Sequence, residues 1–111
     1  MATGDAYQFS NNGIAVTANV RAQRTLLRQV ELAFTGGATF FMLFDKSTVP
    51  INGDTPVMCF NLGAAGTPQV IPMQPEGFTF ANGLGYAFST TIANLTIAAV
   101  NAAVAMQGRD L

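Results

Sequence analysis

Short runs of alternating apolar residues, each broken by glycine, asparagine or proline after roughly 8 to 12 residues, govern what this chain can become. An extended strand turns successive side chains to opposite faces, so a period of two sends one set toward a core and the other away from it. Val30, Leu32 and Phe34 alternate in this way with Gln29, Glu31 and Ala33. Leu84, Tyr86 and Phe88 alternate with Gly85, Ala87 and Ser89. A core built from many such runs is a pair of antiparallel sheets.

Along the chain, Thr35-Gly36-Gly37 reads as a tight hairpin into a strand over Ala38–Lys46. That strand is apolar on both faces, with Phe40, Met42 and Phe44 on one and Phe41 and Leu43 on the other. One of these faces is therefore expected to meet another segment, such as the N-terminal arm, or another subunit. Ser47–Pro56 reads as an exposed loop, Val57–Leu62 as a returning strand, and Gln69–Met73 as an edge strand closed by Pro72 and Pro75. Phe78 and Phe80, then Asn82-Gly83, then Leu84 onward read as a core hairpin, and Leu95, Ile97 and Ala99 as a further strand. In the alanine-rich tail from Ala98 to Met106, Gly108 suits a helix end, but the alternation of Ala102, Val104 and Met106 favours a strand. Residues 1–25 are thinly apolar and read as an N-terminal arm with one or two marginal strands around Ile14, Val16 and Ala18. The expected fold is all-β, an antiparallel β-sandwich or jelly-roll-like domain over residues 26–111 preceded by that arm.

The length of 111 residues suffices for one domain with one core. Only 10 % of the residues are charged, against about 25 % in an average soluble domain, so much of the surface is neutral and partners are expected. Histidine is absent, Cys59 is the single cysteine and the six carboxylates are scattered, which leaves neither a metal cage nor a hydrolytic triad. No enzymatic activity, cofactor or metal is expected. The net charge of −1 and the lack of a basic run disfavour nucleic acid. Ala38–Phe44, the longest strongly apolar stretch, falls far short of the roughly 20 residues of a membrane-spanning helix, and Met1–Ser10 lacks the pattern of a secretory leader. Cys59, set among Val57, Met58 and Phe60, reads as a buried, unreactive thiol.

Arg21, Arg24 and Arg28 are three of the five basic residues and fall within eight positions of one another, a cluster suited to an acidic protein surface. With Phe41 and Leu43 they are the candidate partner-interface residues. Asp45, Asn52 and Asp54 bracket a proline-rich loop in which such side chains ordinarily satisfy local backbone amides, and their spacing matches no calcium loop. Tyr86 shares its strand face with Leu84 and Phe88 and reads as a core residue.

Four stretches in a fixed order complete the pattern: Phe40-Phe41-Met42-Leu43-Phe44-Asp45-Lys46, then Val49-Pro50-Ile51-Asn52-Gly53-Asp54-Thr55-Pro56-Val57, then Phe80-Ala81-Asn82-Gly83-Leu84, and finally Ser89-Thr90-Thr91 before Leu95-Thr96. In this order the stretch from Val30 to Ala99 resembles the small β-sandwich structural proteins found in virions of tailed bacteriophages. The resemblance implies a non-enzymatic virion component, a head decoration or cement protein, with a neck or tail position as the alternative. The module expected on both grounds is a homo-oligomer, such as a trimer, that is made in the bacterial cytoplasm, joins the virion and bridges the major capsid protein or other virion proteins. The competing reading is a carbohydrate-binding host-recognition module at a fibre or tail tip, which needs exposed aromatic and carboxylate groups around a loop-formed groove.

Overall fold

Nine strands form among the described residues: β1 (Gln8–Gly13), β2 (Thr17–Arg21), β3 (Thr25–Gly36), β4 (Phe40–Phe44), β5 (Met58–Asn61), β6 (Gln69–Pro72), β7 (Phe78–Phe80), β8 (Leu84–Ser89) and β9 (Val100–Asp110). The computed structural model describes residues 8–13, 15–38, 40–62, 68–73 and 77–111. There is no helix among them. The strands make two antiparallel sheets packed face to face, one in the order β1-β9-β3-β6 with β7 also on β3, the other in the order β2-β8-β4-β5. The all-β sandwich expected from the alternation is the observed fold. The radius of gyration is 13.3 Å, close to the ~13 Å of a compact chain of about a hundred residues.

The long strands β3 and β9 pair from Thr25↔Asp110 to Gly36↔Val100. The tail is thus a strand of 11 residues, longer than its alternation suggested, with Ala102, Val104 and Met106 buried. On β3 the register slips between Leu27 and Gln29, which makes Arg28 the extra residue of a β-bulge. The slip shifts the phase of the pattern: Thr25 and Leu27 point inward before it, and Val30, Leu32 and Phe34 after it. A gap of three between Leu27 and Val30, meaningless in a regular strand, is therefore what keeps both halves facing the core.

Between the sheets lies one continuous cluster that includes Leu27, Val30, Phe34, Phe41, Phe80, Tyr86, Phe88 and Met106. Phe41 stacks on Tyr86 with ring centroids 5.8 Å apart and meets Phe88 edge-on at 5.2 Å. The buried Tyr86 keeps its hydroxyl satisfied by donating to the Ala15 carbonyl at 2.8 Å. Burial also pushes the Tyr86 pKa above its ordinary value.

Two expected hairpins are instead corners at which the chain crosses from one sheet to the other. After Thr35–Gly37 the next strand cannot pair with β3, because β9 occupies one edge of β3 and β6 with β7 the other. β4 pairs with β8 and β5 across the core. Likewise β7 lies on β3, whereas β8 joins the second sheet. At this second corner Gly83 threads between the carbonyls of Lys46 and Arg21, and a Cβ there would sit 2.5 and 2.6 Å from their oxygens. Only glycine fits.

Two further expectations change. The Leu95–Ala99 segment is no strand: it touches the sheet through a single bridge, Ser89↔Ile97, and through the Ala98 amide, which donates to the Phe88 carbonyl at 2.9 Å. Cys59 is exposed, not buried, because it occupies an outward position on β5, at the end of its sheet. The short strand at Gln69 is, as expected, the edge strand β6.

Residues 8–13 and 17–21 of the segment read as an arm lie within the sheets. β1 runs along β9 from Gln8↔Arg109 to Gly13↔Val104, and β2 runs along β8. Val16, Ala18 and Val20 pack against the main core. These strands close the outer edges of β9 and β8, which the thin apolar content of the segment did not announce.

Candidate docking surface

Phe41 and Leu43, read as interface residues, are fully buried between the sheets and present nothing to a partner. The opposite face of β4 is also covered, although neither by another subunit nor by the N-terminal strands. Met42 and Phe44 pack with Ala87, Leu95 and Ile97, so the chain's own 90–99 segment folds back over the outer face of the sheet. The double-sided apolar strand is thereby satisfied within one chain.

The three arginines do not act as one group. Arg21 makes a two-pronged contact with Asp110, Nε to Oδ1 at 2.9 Å and Nη2 to Oδ2 at 3.1 Å, which ties β2 in one sheet to β9 in the other. Arg24 is exposed in the link between β2 and β3, where its carbonyl accepts the Leu111 amide at 3.0 Å. Arg28 is the exposed bulge residue of β3.

What the structure does assemble is a pair of interlocked loops, 45–57 after β4 and 90–99 after β8. The Gly53 amide donates to the Leu95 carbonyl and the Leu95 amide to the Asp54 carbonyl, both at 2.8 Å. Asn94 Nδ2 donates to the Gly53 carbonyl at 3.2 Å and to Thr55 Oγ1 at 3.1 Å, and Asn52 Oδ1 accepts the Ile97 amide at 2.7 Å. Asp45 accepts the Asn82 amide at 2.8 Å. Asp45, Asn52 and Asp54 thus satisfy backbone amides, as their loop context implied. Among the described residues no three metal-ligating side chains gather. Ala93, at the tip of the second loop, holds a positive φ of 72°, an uncommon conformation for a residue with a Cβ and a sign that the surrounding bonds dictate the turn.

These loops carry the exposed apolar side chains Val49, Ile51, Val57 and Ile92, with Ile51 61 % and Ile92 66 % exposed. The first loop carries Asp45, Lys46 and Asp54, a net charge of −1, and two of these three charges pair. Lys46 Nζ lies 2.6 Å from Asp54 Oδ2, and the same oxygen accepts the Ile51 amide at 2.9 Å. The Lys46 hydrogen bond first, then that from Ile51, hold the Asp54 carboxyl below its ordinary pKa of 3.8. Because the folded pKa is the lower one, the stabilisation is present above pH 3.8 and disappears as pH falls through the depressed value. Acid titration of the melting temperature is expected to show this loss below about pH 4, and Asp54→Asn is expected to remove that part of the pH dependence. Equal acid sensitivity of parent and variant would assign the loss to other carboxylates.

None of these apolar positions was among the candidate residues. A usable signal exists nonetheless: Ile51 and Ile92 are large β-branched residues inside Pro/Asn/Gly and Ser/Thr/Asn stretches, where no alternation assigns them to a core. Cys59, close by on β5, has its thiol pKa raised by desolvation, which disfavours the thiolate. The arrangement has the parts of a contact surface, apolar tips on hydrogen-bonded loops. No family model, no curated protein and no solved structure matches this chain.

Proposed function

We propose that this protein is a non-enzymatic structural module of a tailed-phage virion, a decoration or cement protein that self-associates and reinforces the head by bridging capsid subunits. One observation supports the reading above the others: an apolar-tipped pair of loops tied to each other by the hydrogen bonds between residues 51–55 and 94–97. Loops ordered in advance lose little conformational freedom on docking, so even a small contact keeps its binding energy. Each contact of so small a domain is limited in area, and bridging several subunits raises the effective concentration of the later contacts.

Particles lacking the protein are expected to assemble but to release their genome at lower temperature than complete particles, with saturable restoration when purified protein is added back. Ile51→Asp together with Ile92→Asp is expected to abolish that restoration without changing the melting temperature of the free domain. Equal thermal release from complete and depleted particles, with the depleted ones failing to adsorb to cells, would replace this reading with host recognition.

A further inference from the structure

A sheet edge offers unpaired backbone N–H and C=O groups to any extended segment, and proteins blunt such edges with charge, proline, bulges or cover. The second sheet ends on β2 and on β5. β2 is blunted: its register shifts between Asn19 and Arg21, and Arg21 carries a charge held by Asp110. In the first sheet β6 ends in Pro72, and β1 reads Gln-Phe-Ser-Asn-Asn-Gly, with a single apolar residue. Among the described residues β5 has no such device. From Val57 to Leu62 there is no charge, no proline and no glycine, and no described strand pairs with its outer side.

We propose that β5 is a self-association edge, pairing antiparallel with β5 of a second copy around a two-fold axis at Cys59. A second copy is the occupant to which this edge is matched: the strand is neutral, so two copies meet without repulsion, and a two-fold pairing consumes the free edge of each and closes. The result is one continuous sheet built from two four-stranded halves. Register follows from the pleat, because directly opposed residues must point to the same face. Val57, Cys59 and Asn61 are exposed, whereas Met58 and Phe60 are half-buried and pack on the core. Pairing must then set odd positions against odd. Centring on Cys59 places Val57 opposite the second copy's Asn61 and Met58 opposite its Phe60. Centring on Met58 would instead bring Pro56, which has no N–H, into the ladder. Opposed residues in an antiparallel pair have Cα atoms about 4.5 to 5.5 Å apart, inside the roughly 4.4 to 6.8 Å that a disulfide spans, so Cys59 reports on the register.

The experiment uses the full chain. Light scattering coupled to size exclusion is expected to give twice the chain mass of 11.6 kDa. Diamide is expected to convert the dimer to a disulfide-linked species on a non-reducing gel: one S–S bond forms between the two Cys59 sulfurs, and diamide takes up the two electrons and two protons. Cys59→Ser is expected to keep the dimer mass and lose the cross-link. Cys59→Lys sets two ammonium groups against each other at the axis and is expected to weaken association by about a hundredfold or more while the melting temperature of the monomer holds. Val57→Lys supplies the same test if Cys59→Lys does not fold. A monomer at all concentrations overturns the proposal, as does a dimer that survives both lysine variants, or one lost only in Ile51→Asp, which would move self-association to the loop tips. This inference rests on the proposed function only for self-association: a monomer would remove that element from both, whereas loss of the dimer in neither lysine variant sinks the β5 edge alone, and attachment is tested separately by restoring depleted particles.

Discussion

A chain that begins at Thr25 is expected to lose cooperative folding altogether. The residues removed look dispensable by composition, yet they hold the molecule at several independent points. β2 lies along β8, and its Ala18 and Val20, with Val16 just before it, pack against the core. Asn19 Nδ2 donates to the Lys46 carbonyl at 3.0 Å, and Thr17 Oγ1 to the Pro50 carbonyl at 2.9 Å. Deletion leaves the buried Tyr86 hydroxyl without the Ala15 carbonyl, and it strips Asp110 of Arg21. An orphaned buried hydroxyl alone costs about 1 to 3 kcal/mol, and the uncovered apolar surface adds about 25 cal/mol for each Å². These losses are set against a domain stability of only ~5 to 15 kcal/mol. Thermal melting followed by circular dichroism should show a broad, non-sigmoidal change. A sigmoidal melt within a few degrees of the parent would show that the N-terminal strands are accessory, as their composition suggests.

Replacing Phe41 with alanine is expected to lower stability by about 3 to 5 kcal/mol, the cost of emptying a fully buried aromatic site. The ring is wholly inaccessible and touches Tyr86 and Phe88, themselves buried, so its neighbours have little freedom to collapse into the space. At roughly 4 to 8 °C for each kcal/mol in a domain of about this size, the midpoint falls by about 12 to 40 °C. The same measurement on Ile51→Asp is expected to move the midpoint hardly at all, since exposed substitutions stay within about 0.5 kcal/mol. This contrast separates the core from the docking surface. A Phe41→Ala variant as stable as Ile51→Asp would contradict the packing described for β4.

Which residues face inward was legible wherever a regular strand carried a clean period of two: Val30, Leu32 and Phe34, Leu84, Tyr86 and Phe88, and the tail at Ala102, Val104 and Met106. The apolar-tipped loops were not, because Ile51 and Ile92 sit on a network between segments about 40 residues apart in the chain, as in the Asn94 to Gly53 bond. Cys59 was misjudged for a related reason. Its apolar neighbours in sequence say nothing of whether its strand lies at the centre of a sheet or at its end.

By itself, then, the order of apolar and turn residues determined an all-β sandwich with those inward faces, since side-chain direction along an extended strand is a local property of the backbone. Tertiary structure alone decided which strands are neighbours. Glycine breaks at 36–37 and at 83 permit a hairpin or a crossing equally well, and the choice fell to crossing because both edges of β3 were already occupied and Gly83 had to pass between two carbonyls. It also decided what covers Met42 and Phe44, and that residues 17–21 close a sheet edge. Partner choice in a sheet depends on which edges remain free once every other strand is placed, and no local stretch of sequence carries that information.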